Sequence, residues 1–211
     1  MTSVTPSFLR RYTDLPALLH LLSTKKLTLL DPKTWDDSND SHYLSLYKQK
    51  KNCKTVLALC FSQAAETYHH WRVFSGSSSG ICVLFDRQPL LKALQSEVGV
   101  QVGEVNYLTL SKARRRKPKT EELPFIKRFA FIDESEYRVV FESADEVLPS
   151  KPIPVSLASI RSISLSPWLH ESLAQATKDA IHSIDGCSRL KVFRSTLVSN
   201  EEWKAIGGNA A

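Results

Sequence analysis

The chain of 211 residues contains no apolar run of the roughly 18 to 20 residues that a membrane-spanning helix needs. Its longest candidates are VLALCF at 56–61 and ICVLF at 81–85. MTSVTPSFLRR at the start has no basic segment followed by an apolar one, so no secretory signal is expected. Cysteine is scarce: Cys53, Cys60, Cys82 and Cys187 lie 7, 22 and 105 residues apart, with no C-x-x-C pair and no His-x-His at metal-site spacing. Three of them sit in or beside apolar, strand-like segments, where a small buried thiol is usual. They read as reduced, non-catalytic cysteines of a cytoplasmic protein, and no metal is expected. The six histidines are scattered, and His69-His70 is the only close pair. Helical neighbours point about 100° apart, so these two cannot share a metal as an i, i+4 pair could. No repeat, long linker or low-complexity tract divides the chain.

What is present is ordinary for a globular protein, with 42% apolar and 24% charged residues. The net charge of +6 is concentrated in one place. In KARRRKPK at 112–119, six of eight residues are basic, and outside it basic and acidic residues are equal at 22 each. A basic loop at 110–120 is expected, able to contact phosphates through Lys112, Arg114, Arg115, Arg116, Lys117 and Lys119. A solvated, mobile loop is the plain alternative, since no aromatic residues interleave with the arginines to stack on bases.

Residues 7–12 read as a strand. Leu15, Leu18, Leu19 and Leu22 then mark a helix capped by Asp14 and closed by Lys25 and Lys26, before a strand at 27–30. Helices are expected at 41–51, 66–74, 89–97, 121–129 and 167–183. Strands are expected at 55–62, 81–85, 100–108, 135–141, 160–165 and 189–196, followed by a weak tail. This order gives one α+β domain over 1–211 with a mixed, mainly antiparallel sheet flanked by helices. GSSSG at 76–80 is followed by a strand, whereas a phosphate cradle needs a helix there, so it reads as a flexible hairpin-type loop.

ESEYRVVF is the most informative segment. Glu134 and Glu136, two apart on a strand, project to one face, and Arg138 on that face can orient a carboxylate. A surface Glu/Arg ladder is the bland alternative. In FLRRYTD, Arg10, Arg11, Tyr12 and Thr13 stand where a strand gives way to a helix, a place from which a ligand amide or phosphate can be clamped. Solvated arginines at an ordinary strand end are equally consistent with it.

The order of motifs resembles the bacterial domain-of-unknown-function family 2971 over roughly residues 8–165. It runs FLRRY, then Trp35-Asp36-Asp37-Ser38-Asn39-Asp40 for an aromatic-Asn-Asp-Pro-x-Asp motif, then Cys60-Phe61-Ser62. A helix with Trp71 and the strand from Gly80 to Asp86 follow, and last comes Phe131 to Arg138 for Trp-x-x-Glu-x-Glu-Tyr-Arg. More distantly, LRRYTDLPALLHLLSTKKLTLL is similar in layout to the opening of ADP-ribosyltransferases of the poly(ADP-ribose) polymerase, RNA 2′-phosphotransferase and DNA-modifying toxin type. That resemblance implies an ADP-ribosyltransferase-like fold and NAD as substrate. It makes Glu136 the catalytic carboxylate and Glu134 the group that orients or activates the acceptor. Arg11, Tyr12 and Thr13 would meet NAD from the first strand, and Ser62 would support the ribose. Trp71 would either stack on NAD or fill the core. The chain lacks the His-Gly pair of the polymerase-like branch and the Ser-Thr-Ser strand of the arginine-modifying toxins.

Three functions follow as expectations. The first is an NAD-dependent ADP-ribosyltransferase-like enzyme, a toxin or phage-defence effector acting on nucleic acid or protein. The second is a metal-dependent nuclease using Asp133 and Glu136, for which Arg138 is a poor substitute for the usual Lys. The third is a non-catalytic nucleic-acid- or protein-binding module using the basic loop.

Overall fold

The computed structural model describes residues 6–208. The chain opens with β1 (Phe8–Asp14), α1 (Leu15–Thr24) and β2 (Lys26–Leu30). Asp14 Oδ1 accepts from the Ala17 N–H and caps α1. Leu18, Leu21 and Leu22 bury its inner face, and Lys25 ends it in a left-handed conformation. Next come α2 (Ser38–Lys50), β3 (Thr55–Ser62), α3 (Tyr68–Phe74), β4 (Gly80–Asp86), α4 (Arg87–Gln95) and β5 (Val100–Glu104). A short excursion carries β6 (Asn106–Leu108), α5 (Leu110–Arg115) and β7 (Ile126–Arg128). The chain ends with β8 (Glu136–Ser143), β9 (Ser150–Pro154), β10 (Ile160–Leu165), α6 (Glu171–Ser183), β11 (Val192–Arg194) and α7 (Glu201–Gly208). Among the described residues no helix is long and apolar enough to cross a membrane.

Among the described residues nine strands form one sheet, and β6 pairs with β7 in a second. All pairings are antiparallel except β10–β11 and β6–β7, which matches the mixed, mainly antiparallel α+β class expected. On one face, Leu18 and Leu22 of α1, Leu90 and Leu94 of α4, and Ile181 of α6 pack on Leu9, Leu59, Phe61, Val83, Phe85 and Val139. On the other, Leu44 and Tyr47 of α2 cover Val56, Ala58 and Val140.

The centre of the sheet is split. β8 pairs with β3 along its full length, from Thr55↔Ser143 to Ser62↔Glu136. The opposite edge of β3 therefore has to receive both β1 and β2, and each touches it at one point, Arg10↔Ser62 and Leu30↔Ala58. Between those points β1 and β2 diverge, and the edge of β3 from Leu59 to Phe61 lies open to the gap.

Several elements depart from the sequence-based expectation. The alternation over 100–108 continues through Val105, but the chain leaves the sheet there: Gly103 abuts the Phe125 ring, and the Val105 N–H turns to the Glu136 carbonyl. The helix expected at 121–129 is a 3-10 turn (Thr120–Phe125), β7, and a second 3-10 turn (Phe129–Glu134), because Pro124 lacks the N–H an α-helix requires. The basic stretch is partly helical rather than a loop. Thr109 caps α5, and Leu, Lys, Ala and Arg all favour helix. β9 is an addition, because Pro152 and Pro154 argue against a strand; on the sheet's edge their missing N–H groups cost nothing, and Ile153 fills the core opposite Leu27. GSSSG forms a turn tied to its neighbours: Leu15 N–H donates to the Ser79 carbonyl at 3.1 Å and Ser166 Oγ to the Ser77 carbonyl at 3.0 Å. A side chain at Gly80 would meet Ser75 at under 3 Å, its carbonyl included. The weak tail contains α7, which buries none of its residues.

Candidate active site

The gap between β1, β2 and β3 opens into a cleft of about 440 Å³, within the range of small-molecule sites. Arg10, Arg11 and Tyr12 of β1, Cys60 and Ser62 of β3, and Glu134 and Glu136 line it. Trp35, Asp36, Asp37 and Asp40 line it from the turn before α2 and its first residues, and Lys127 and Phe131 from the excursion.

The β3–β8 register builds the carboxylate end. Ser62 lies opposite Glu136 and Cys60 opposite Arg138, so all four side chains share one face. Glu134 joins them differently from the expected strand geometry. It ends a 3-10 turn, and Ser135 is left-handed (φ 45°), which reverses the chain before Glu136 starts β8. Ser62 Oγ straps this turn by donating to the Glu134 carbonyl at 2.8 Å, and the Gln63 N–H donates to the Ser135 carbonyl at 2.8 Å. Since the Ser62 proton is so used, His70 Nε2 donates to Ser62 Oγ at 3.2 Å and Nδ1 accepts from Thr67 Oγ1. Burial holds the His70 pKa below its ordinary value, which favours this neutral imidazole.

The acids are buried among cations, so the surface-ladder alternative is overturned. Arg138 is fully buried. Its Nε donates to Glu136 Oε1 at 2.7 Å, and its two terminal nitrogens donate to Asp40 Oδ1 and Oδ2 at 2.8 and 2.6 Å. Lys127 Nζ lies 2.6 Å from Glu134 Oε2, 3.4 Å from Glu136 Oε2 and 3.6 Å from Asp40 Oδ2, over the Phe131 ring. Burial opposes ionisation of Glu136, but Arg138 and then Lys127 override it and hold its pKa down to about 2. Glu134 goes the other way: burial raises its pKa, the Glu136 and Asp40 charges add to the rise, and Lys127 offsets only part of it. Burial would discharge Lys127, but Glu136, Glu134 and Asp40 together raise its pKa, so it stays charged. Two carboxylates of one motif are thus pushed in opposite directions, the pattern of a permanent anion beside a proton acceptor.

Elsewhere in the cleft, groups are short of partners. Arg11, half-buried with its pKa lowered by burial, makes one long hydrogen bond among the described residues, 3.5 Å to the Cys60 carbonyl. Asp37 caps α2 through Oδ1, while its buried Oδ2 has no partner among the described residues, and neither does the buried Tyr12 hydroxyl. Burial raises the Cys60 thiol pKa well above its ordinary value.

The structure therefore brings Arg11, Tyr12, Ser62, Glu134 and Glu136 to one cleft. Thr13 and Trp71 are not among its lining residues. Trp71 is fully buried, with Nε1 donating to Glu66 Oε1 at 2.6 Å and its ring edge-on to Tyr12, so it fills the core. Asp133 is exposed and does not line the cleft beside Glu136. Lys112, Arg114, Arg115, Arg116, Lys117 and Lys119 lie outside the cleft, and Arg116 pairs with Glu122. Sequence reasoning missed Lys127, Asp40 and Asp37 as site residues. The last two stand in the TWDDSND stretch, whose acidity is visible, but Lys127 carries no local signal. Among the described residues, no three His, Cys, Asp or Glu side chains group as ligands for a metal ion.

No family model matches the chain, so the likeness to family 2971 rests on motif order alone. No curated protein matches it either. Among solved structures, the chain is similar to Thermus sp. 2.9 DarT in complex with NAD+, at 13% identity and a TM-score of 0.48 over 92% of this chain and 98% of that one. It is also similar to Thermus sp. 2.9 DarT in complex with ADP-ribosylated ssDNA, at 11% identity and a TM-score of 0.49 over 92% and 97% of the two chains. The same protein in complex with carba-NAD+ gives 11% identity and a TM-score of 0.46 over 91% and 97%.

Proposed function

We propose that this protein is an NAD-dependent ADP-ribosyltransferase acting on a nucleic-acid or protein acceptor. The observation that carries the reading is the meeting of Arg11 from the first strand, Ser62 from β3 and Glu136 from β8 around one cleft. The residues present fit NAD chemically. Arg11 has guanidinium N–H groups without partners among the described residues, suited to a pyrophosphate or carboxamide oxygen, and Asp37 offers an unused acceptor for a hydroxyl or amine.

NAD supplies an activated glycosidic bond: it breaks with its electron pair leaving on nicotinamide, and the acceptor nucleophile bonds to the ribose carbon and gives up a proton. Glu136 is ionised throughout the neutral range. Arg138 fixes its Oε1, while the longer contact from Lys127 leaves Oε2 able to accept a ribose hydroxyl and stabilise positive charge on the sugar. Glu134, beside it with a raised pKa, would take the acceptor's proton. The basic residues of 112–119 follow β6 and precede β7, so they lie on the excursion that delivers Lys127, and they would attract an anionic acceptor.

The test is nicotinamide release from NAD by the purified protein, with single-stranded DNA, RNA and protein offered as acceptors. Release by wild type and its loss in Glu136→Gln, with an unchanged circular dichroism spectrum, are expected. No release with any acceptor, together with no thermal shift on adding NAD, would overturn the reading.

A further inference from the structure

We propose that Asp40 is a positioning residue, whose carboxylate clamps the two terminal nitrogens of Arg138 and thereby aims Arg138 Nε at Glu136 Oε1. The inference rests on the transferase reading for its effect on turnover, but its geometry is independent of it. An arginine side chain has a planar head on a flexible stem, and one hydrogen bond leaves that head free to swing. Here Asp40 accepts from Nη1 and Nη2 at 2.8 and 2.6 Å, the Pro124 carbonyl accepts from Nη1 at 2.8 Å, and the Trp35 ring lies 5.1 Å from the guanidinium carbon. With both ends of the fork held, the direction of the Nε–H is set, and Glu136 Oε1 receives it at 2.7 Å. The remaining carboxylate oxygen of Glu136 is left toward Lys127 and the cleft.

The origin of Asp40 supports an aligning role. It stands in the first turn of α2, whose start is fixed by Asp37 accepting from the Asn39 N–H at 3.0 Å. The helix buries Leu44 and Tyr47 against the sheet, so the carboxylate is held by a rigid element rather than by a loop. Stability is a weak reason for the arrangement, because a buried ion pair adds little over an apolar pair of similar volume. Alignment at Glu136 is the better one. Glu136 is faced by Arg138 on its own strand, Cys60 from β3, Lys127 from β7, Glu134 from the turn and Asp40 from α2. Its backbone N–H donates to the Tyr107 hydroxyl of β6. Within that set, Arg138 makes a shorter contact to the Glu136 carboxylate than Lys127 does.

The test uses Asp40→Asn and Asp40→Glu in the full chain, each checked for folding by circular dichroism, with two readouts. In steady-state NAD turnover, Asp40→Asn is expected to lower kcat roughly 10- to 100-fold with KM for NAD little changed, the signature of a misaligned group. Asp40→Glu, which keeps the charge on a longer arm, should fall between Asn and wild type. In 15N-arginine NMR, assigned with Arg138→Lys, the Arg138 Nε–H should exchange slowly in wild type and at least about tenfold faster in Asp40→Asn, the factor that about 1.4 kcal/mol of protection represents. A folded Asp40→Asn protein with wild-type kcat and a protected Nε–H would overturn the proposal. The exchange measurement needs no NAD chemistry. A wild-type protein with neither turnover nor a thermal shift on adding NAD therefore defeats the transferase reading, while the exchange rates alone still decide whether Asp40 aligns Arg138.

Discussion

Lys127 Nζ lies 2.6 Å from Glu134 Oε2, because the 3-10 turn that follows the strand of Lys127 brings its last residue, Glu134, back onto that strand. The same ammonium reaches Glu136 and Asp40, so one cation ties together acids from a turn, a strand and a helix. Its removal leaves buried charge uncompensated. Lys127→Met is expected to destabilise the protein by about 3–5 kcal/mol, read from urea unfolding. In the folded fraction, nicotinamide release should fall, with the acid limb of its pH profile moved upward as Glu136 loses one of the two charges that hold its pKa down. A fully active, equally stable variant would remove Lys127 from the site.

Glu136 has its pKa depressed from an ordinary 4.5 to about 2. A carboxylate of this kind contributes stability that is fully present above about pH 4.5 and is lost as pH falls toward 2. Glu134, with a raised pKa, carries the opposite sign and blunts the overall profile. Comparison with Glu136→Gln isolates the first contribution: the stability gap between wild type and variant should narrow as pH is lowered from about 5 to 2. A gap that stays constant over that window would show that Glu136 is not held in its charged form by its neighbours.

Ser62 Oγ joins β3 to the turn that presents Glu134. Ser62→Ala would leave the Glu134 carbonyl and the His70 Nε2–H without this partner, and a decrease of about 1–3 kcal/mol is expected in thermal or urea unfolding. Turnover of the folded protein should drop as well, since the turn is then free to shift. Equal stability and turnover in the variant would show that this strap has no part in holding the turn.

Asp37 Oδ2 is a buried acceptor without a partner in the cleft among the described residues. Asp37→Asn is expected to raise KM for NAD roughly tenfold, in line with the removal of one hydrogen bond to a charged group, and to leave kcat largely intact. A change in kcat without a change in KM would place Asp37 with the reacting end rather than with binding.

The basic stretch makes a prediction about salt. Changing Arg114 and Arg115 to Gln should weaken binding to single-stranded DNA and reduce the slope of log K against log salt by about one for each phosphate no longer neutralised. Arg116, paired with Glu122 at 2.5 Å, should contribute less. NAD hydrolysis without acceptor should not change. An unaltered salt slope would assign these residues no role in holding nucleic acid.

What the sequence determined by itself was local. The leucine spacing of α1 and its Asp14 cap, the apolar runs of β3 and β4, and the concentration of positive charge at 112–119 all depend on neighbouring residues, and all are legible. So is the pairing of Glu134 with Glu136, although the expected reason, alternation along a strand, gives way to a left-handed Ser135 in a turn. Pro152 and Pro154 hide a strand because their cost depends on whether it lies at the edge or the centre of the sheet, which only the assembled sheet decides. The site itself was decided by tertiary structure. Arg138 meets Asp40 across 98 positions of sequence, and Ser62 meets Glu134 across 72. No periodicity or spacing encodes such encounters; they follow from β3 pairing with β8 along one edge while β1 and β2 part on the other, which opens the cleft and packs α2 and the excursion at its carboxylate end.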